Sequence, residues 1–168
     1  MTPVRLLNTA IIPALSDLAE RGIVDTVIAR RFVLAIALQE SGLAHRRQVS
    51  SGGLENGPAA SFWQFEQGGG CAGVLRHPSA AARMRGVCAD FNVEPTPAGL
   101  WEAIRYNDIV AAAAARLLVY TLPQGMPTTG TEAWTQYVSA WRPGKPHPER
   151  WAANWALAGQ VVEGALKV

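Results

Sequence analysis

The segment that most restricts the fold of this chain is the apolar run Phe-Val-Leu-Ala-Ile-Ala-Leu at residues 32–38, which leads into Glu40, Ser41 and Gly42. An apolar run without a polar face is typical of a helix that is buried on all sides. Glycine readily ends a helix in a left-handed conformation, so we expect this helix to stop at Gly42. The sequence therefore predicts a carboxyl group at the end of a buried helix.

This position predicts unusual chemistry for Glu40. The C-terminal end of a helix carries partial negative charge, and apolar neighbours desolvate a carboxylate, so both effects raise its pKa. A glutamic acid that is protonated near neutral pH can act as a general acid. The alternative is a polar helix end that projects into solvent, and Glu40 alone does not decide between the two.

Length and composition favour one domain over residues 1–168, because 168 residues with 49% apolar content can form a sizeable core. The net charge of +2 is too small to indicate a nucleic-acid partner, although it suits an anionic polymer such as a bacterial cell wall. Cys71 and Cys88 are expected to be ordinary buried thiols. The histidines lack metal-ligand spacing, so we expect no metal and no cofactor.

No basic region followed by an apolar stretch and a cleavage site is visible near the first residue, and no apolar run approaches the ~18 residues of a membrane span. We therefore expect synthesis in the cytoplasm and no integral membrane segment. Contact with a substrate outside the cytoplasm would require delivery, either within a virion or into the periplasm.

The pattern along the chain predicts a mainly α fold, α+β at most, with about seven helices. We expect residues 42–57 to form a loop and residues 61–65 to form a short extended segment. The predicted helices are residues 6–21 with a kink at Pro13, a helix capped by Asp25 that ends at Glu40, residues 77–90, 96–106 and 109–120, a helix capped by Thr131 that ends at Trp141, and residues 149–166.

Two aromatic segments supply candidate binding residues. In the first, Gln64 lies between Trp63 and Phe65, and an amide can both donate to and accept from sugar hydroxyls and N-acetyl groups. A buried aromatic strand with Gln64 as a core amide is an equally open interpretation. In the second, three aromatic side chains share one helical face, a pattern that more often indicates core than ligand: Trp134, Tyr137 and Trp141.

The basic residues around the proline-rich turn that follows could meet anionic groups, although a solvated turn is the simpler interpretation: Arg142, Lys145, His147 and Arg150.

Taken in order, these segments resemble the lysozyme-like superfamily, particularly the soluble lytic transglycosylases and goose-type lysozymes. That family has Glu-Ser at the end of a buried helix, a Gly-Ala-x-Gly-Leu-x-Gln segment, a helix that opens with Asp or Asn, and an Ala-Tyr-Asn-x-Gly turn. The matching segments here, within residues 28–145, are Glu40-Ser41, residues 57–64 with Ser61 in place of the second Gly, Tyr106-Asn107-Asp108, and residues 139–144 with Trp141 in place of Tyr. Residues 57–66 also resemble small proteins encoded in bacteriophage structural gene clusters.

The resemblance implies a single lysozyme-like domain, with a short extended segment beside the cleft, that cleaves the β-1,4 glycosidic bond of peptidoglycan. Glu40 would be the general acid and base of a lytic transglycosylase or a muramidase. The residues expected to bind the glycan strand are Ser41, Trp63, Gln64, Tyr137 and Trp141. A hydrolase needs a second carboxylate, for which Glu55 and Glu66 are the candidates, whereas a transglycosylase of this family needs none.

Two alternatives stay open at this point. A chitinase of the same superfamily would accept uncharged chitin oligomers. A non-catalytic virion or tail protein would keep the fold without the activity, and its aromatic helix face would contact other virion proteins.

Overall fold

The structure, a computed structural model that describes residues 1–50 and 52–167, is mainly helical with one small antiparallel sheet, as the sequence predicts. Helix α1 is continuous through Pro3–Leu6, a π-helical turn at Leu7–Ile11, and Ile12–Glu20. The helices that follow are α2 (Val27–Ser41), α3 (Ala72–Arg76), α4 (Ala81–Asp90), α5 (Pro97–Ile104), α6 (Asp108–Tyr120), α7 (Gly130–Trp141) and α8 (Pro148–Ala165).

Two helices lie at the centre of the molecule. Residues 32–39 of α2 and residues 110–119 of α6 are buried without interruption, which places both helices inside a shell formed by the others. Helix α2 packs mainly on α8, and α6 packs on α1. Buried side chains from all these helices belong to one apolar cluster. Within the described residues no helix is both long and apolar enough to cross a membrane.

The ends of α2 are fixed by local hydrogen bonds. Thr26, rather than the predicted Asp25, caps its first turn, and its hydroxyl accepts a hydrogen bond from the Ala29 N–H at 3.1 Å. The Asp25 carboxylate instead pairs with the Arg30 guanidinium at 2.6 Å. At the other end Gly42 adopts φ 56° and its N–H donates to the Leu38 carbonyl, so the predicted glycine stop is confirmed.

Helix α7 also begins at a different cap from the predicted one. Thr129, not Thr131, is the capping residue, and it forms a reciprocal capping box with Glu132. The Thr-x-x-Glu spacing of this box is visible in the sequence, so the correct helix start was predictable. Helix α3, which continues from a π-helical turn at Gln67–Cys71, was not predicted, because the three glycines in that turn give little helical pattern.

The sheet occupies a region that the sequence analysis assigned to a loop. Strands β1 (Arg47–Val49), β2 (Glu55–Ala60) and β3 (Phe65–Glu66) pair antiparallel in that order. The prediction of a loop over residues 42–57 is therefore wrong for β1 and the start of β2; Ser51 lies outside the described residues. Most of β1 and the first half of β2 are solvent-exposed, so neither shows the apolar alternation that signals a strand.

The extended segment expected at residues 61–65 is mostly a tight turn between β2 and β3. Ser61 and Gln64 adopt φ values of 66° and 50°, in the left-handed region that favours glycine. At Ser61, a non-glycine residue thus holds the backbone conformation that Gly adopts most easily. The turn places Gln64 beside the end of α2, where the candidate site lies.

Candidate functional site

Glu40 occupies the last turn of α2 and opens into a groove. Its side chain is half-buried, and loss of hydration raises the pKa of its carboxyl group to about 7. A hydrogen bond from the Tyr137 hydroxyl to Glu40 Oε1, at 2.7 Å, acts in the opposite direction because it favours the carboxylate. The group can therefore both donate and accept a proton near neutral pH, as the sequence predicts for this position.

Tyr137, on α7, orients this carboxyl group from inside the protein. Its side chain is only 2% exposed, so the expectation that it forms a wall of the groove is wrong. Its ring stacks on that of Trp151, with centroids 5.3 Å apart and an angle of 11° between the planes. Burial and the neighbouring Glu40 raise the pKa of Tyr137 above its usual range, so the hydroxyl remains a hydrogen-bond donor.

The groove beside Glu40 has a volume of about 710 Å³ and lies between the sheet and the end of α7. Glu40 and Gln64, which the sequence predicts to share a site, both line it. The other residues that line it are Gln48, Ala59, Phe65, Glu66, Gly69, Gly70, Leu118, Ala140, Trp141, Arg142, Pro143, Gly144 and Lys145. One of these, Gly70, allows close packing, because a Cβ there would lie 2.3 Å from the Phe65 ring.

Gln64 lies in the turn before β3 and is half-buried, so it is not the core amide of a buried strand. Its Nε2 donates to the Ser61 carbonyl at 2.8 Å, which holds the side chain against its own turn. This contact uses one of the two amide hydrogens. The amide can still make further hydrogen bonds to a ligand in the groove.

The two tryptophans predicted to line the groove have different positions. Trp63 is fully buried, and its Nε1 donates to the Val33 carbonyl at 2.8 Å, so the expectation that it contacts ligand is wrong. Trp141 does line the groove, and its Nε1 donates to the Trp63 carbonyl at 2.8 Å. Its ring meets that of Phe65 edge to face, with centroids 5.6 Å apart. Trp63 therefore supports the wall that Trp141 forms.

Ser41 connects the end of α2 to the turn before β3 and does not line the groove. Its hydroxyl is placed to donate a hydrogen bond to the Ala37 carbonyl, at 3.0 Å, or to the Phe62 carbonyl, at 2.8 Å. It also accepts a hydrogen bond from the Leu43 N–H. These contacts use the hydroxyl for structure. The position of Ser41 therefore does not support its expected role in binding substrate.

The two candidates for a second carboxylate, Glu55 and Glu66, lie in different cavities. Glu66 lines the groove. Glu55 instead pairs with His45, at 2.8 Å, and borders a different cavity formed with Met1 and Arg5. Glu66 is therefore the carboxylate that remains available to act together with Glu40.

Several groove residues were missed or given a simpler interpretation. Gln48 lies on β1, and no sequence signal identified it, because the hairpin itself was not predicted. For Arg142 and Lys145 the sequence favours a solvated turn over an anion site. Both are exposed on the groove wall, and neither has an ion-pair partner among residues 1–50 and 52–167. Within the part of the chain that the structure describes, the groove thus presents to a ligand two cations that have no ion-pair partner.

Cys71 and Cys88 are free and buried, as predicted. Burial is the main cause that raises the pKa of Cys71, to about 12. Over the described part of the chain, no three His, Cys, Asp or Glu side chains cluster in a way that could hold a metal ion.

No family model matches this chain, and neither the search of curated proteins nor the search of solved structures returned a match.

Proposed function

We propose that this protein is a peptidoglycan-cleaving enzyme in which Glu40 is the general acid and base. The observation that supports this most is a half-buried carboxyl group with a pKa of about 7, oriented by a buried tyrosine and open to a groove. A group with this pKa is suited to give and take a proton at neutral pH. The resemblance of Glu40-Ser41 and the motifs that follow it to lytic transglycosylases indicates which bond is cleaved, namely the β-1,4 glycosidic bond of peptidoglycan.

In the reaction we propose, protonated Glu40 transfers its proton to the glycosidic oxygen, and the bond from the anomeric carbon to that oxygen breaks. The 6-hydroxyl of the same muramic residue then attacks the anomeric carbon, and its proton returns to the Glu40 carboxylate. The products are a 1,6-anhydro-muramic end and a free 4-hydroxyl. The Tyr137 hydroxyl stabilises the carboxylate between the two proton transfers.

Gln64 and Trp141 are the side chains best placed to hold the glycan strand. The free hydrogen-bonding capacity of Gln64 suits an N-acetyl group, and Trp141 offers an apolar ring at the groove wall. If Gln64 contributes one net hydrogen bond, worth ~0.5–1.5 kcal/mol, Gln64→Ala should weaken oligosaccharide binding several-fold with little change in melting temperature.

The charge of the groove wall favours peptidoglycan over chitin. Muramic residues carry carboxylate groups on their lactyl and peptide substituents, whereas chitin oligomers are uncharged. Arg142 and Lys145 can attract such anions, and this attraction should weaken as salt rises. An Arg142→Gln/Lys145→Gln double variant should therefore lose affinity for muropeptides but not for chitin oligomers of equal length.

Product analysis by mass spectrometry tests the proposed reaction, because anhydro and hydrated ends differ by one water. We expect anhydro ends. Reducing ends alone would contradict the transglycosylase route and would assign the second carboxylate to Glu66. In that case Glu66→Gln should abolish turnover, whereas the matched control Glu55→Gln, outside the groove, should not. Absence of any turnover by the wild-type protein would instead favour the non-catalytic alternative.

A further inference from the structure

A buried amide lies immediately before Glu40 in the chain and connects α2 to the other side of the groove. Gln39 is 7% exposed, and its Nε2 donates to two backbone carbonyls, of Pro146 at 2.7 Å and His147 at 3.0 Å. Its Oε1 accepts a hydrogen bond from Asn154 Nδ2, on α8, at 2.9 Å. The contact with Asn154 fixes which way the amide faces, so that the NH₂ group points to the carbonyls.

The segment that receives these hydrogen bonds forms part of the groove wall. Residues 142–147 join α7 to α8, and the first four of them line the groove. Both end residues have left-handed backbones, with φ 49° at Arg142 and φ 50° at His147. Non-glycine residues keep such conformations only where surrounding contacts hold them.

This wall receives few hydrogen bonds. Among the described residues, the hydrogen bond from Gln39 to Pro146 is the only hydrogen bond made to residues 143–146. Gln39 and Glu40 are neighbours on the same turn of α2. Among the described residues, the Arg142 N–H bonds back to the Val138 carbonyl of α7, so the hydrogen bond from Gln39 is the one that ties the far end of this segment to the helix that carries Glu40.

We propose that Gln39, oriented by Asn154, is a positioning residue that fixes the wall at residues 142–145 relative to Glu40 and so sets the width of the groove. The inference rests on the proposed function, because groove width affects turnover only if a substrate is cleaved there. A displacement of about 1 Å in such a wall can cost up to ~10²-fold in rate.

The test uses Gln39→Met, which keeps the length of the side chain and removes both donors. Gln136→Met is the matched control, because Gln136 is also 7% exposed and also donates to a loop carbonyl, that of Gly125, at 2.8 Å. Gly125 does not line the groove. Gln39→Met loses three side-chain hydrogen bonds and Gln136→Met loses one, so the melting temperature should fall further in Gln39→Met.

The two variants should differ in the groove. In Gln39→Met, the NMR order parameters of the Gly144 and Lys145 backbone N–H groups should fall from about 0.85, typical of rigid backbone, to below about 0.6, and kcat/KM on muropeptides should fall between about tenfold and a hundredfold. The limb of the pH–rate profile that reports Glu40 should not move, because Tyr137 still donates to it. In Gln136→Met, the order parameter of Gly144 and kcat/KM should match the wild type. Asn154→Ala should act in the same direction as Gln39→Met and add little to it.

Equal order parameters in wild type and Gln39→Met would overturn the proposal, and so would lower order parameters with unchanged kcat/KM. If the wild-type protein shows no turnover, the proposed function has failed. The comparison of order parameters then still decides whether Gln39 holds the wall, since it needs no substrate.

Discussion

Each of the two central helices carries one desolvated ionisable side chain, and the surroundings of these two side chains differ. Glu40, at the end of α2, has a hydrogen-bond donor in Tyr137 and borders the groove. Arg116, in the middle of α6, is 5% exposed, and its Nε and Nη1 atoms have no partner among the described residues. Desolvation shifts the pKa of both groups towards the neutral form.

This comparison shows that a shifted pKa alone does not identify a site. Arg116 lies with its guanidinium carbon 5.8 Å from the centre of the Tyr120 ring and lines neither the groove at Glu40 nor the cavity that Glu55 borders. Glu40 combines the shift with a partner and an opening, and that combination is what supports a chemical role. The predictions below test the difference between the two groups.

The largest expected effect is on the pH dependence of stability. The pKa of Glu40 is about 7 in the folded protein, above its ordinary value of 4.5. Between these two pH values the folded protein holds a proton on Glu40 that the unfolded chain has lost, so the free energy of unfolding falls as pH rises. Glu40→Gln should remove this loss and make the protein about 3 kcal/mol more stable at pH 8, at roughly 1.4 kcal/mol per pH unit, with little change at pH 4. Urea unfolding at both pH values measures the difference.

The exposed Glu163 provides the control for that experiment, because Glu163→Gln should change stability by no more than about 0.5 kcal/mol at either pH. A Glu40→Gln variant that is less stable than the wild type at pH 8 would contradict our account, because it would show that the ionised Glu40 carboxylate does not destabilise the folded protein.

The next effect concerns the hydroxyl that orients Glu40. Tyr137→Phe removes a hydrogen bond that favours the carboxylate, so the pKa of Glu40 should rise further. A hydrogen bond to a charged group is worth ~1.5–3 kcal/mol, which corresponds to about one to two pH units. Titration of the ¹³C-labelled carboxyl group by NMR would show this, and a pKa that stays fixed or falls would argue against the contact.

Arg116 should respond in a different way. Arg116→Met replaces unpartnered buried donors with an apolar side chain of similar length, and it should stabilise the protein by about 1–3 kcal/mol. The gain should be the same at pH 5 and pH 8, and cleavage of peptidoglycan should not change. Denaturant unfolding checks the prediction, with exposed Arg150→Met as the control. A loss of stability would show that the guanidinium makes a stabilising contact.

The smallest effect is expected at the buried thiols, which burial keeps neutral. A Cys71→Ala/Cys88→Ala protein should fold and lose on the order of 1 kcal/mol, as for a typical core substitution. The loss should be equal under reducing and oxidising conditions. A drop in melting temperature that appears only under oxidising conditions would reveal a disulfide between the two cysteines.

The sequence predicted the parts of the site that depend on local pattern. The end of α2 at Gly42 and the perturbed Glu40 follow from an apolar run and a helix terminus, which are both local features. The roles of the aromatic residues were not predictable in this way. Trp63 and Trp141 are chemically alike, and only the packing of distant segments decides that one supports the wall and the other forms it.

The hairpin was missed, and the turn at residues 142–145 was interpreted as solvated and not as a groove wall, for a related reason. Exposed strands such as β1 lack the apolar alternation that predicts a strand, so Gln48 had no recognisable context. The contact between Gln39 and Pro146 joins residues that are far apart in sequence and has no motif. Features set by long-range hydrogen bonds can be found only once the fold is known.

Release of muropeptides from purified peptidoglycan, compared between the wild type and Glu40→Gln, tests the central claim most directly. The account predicts release by the wild type, and release about 10²–10⁴ times slower by a variant that is folded and at least as stable at pH 8. Equal release by the two proteins, or no release by either, would contradict it.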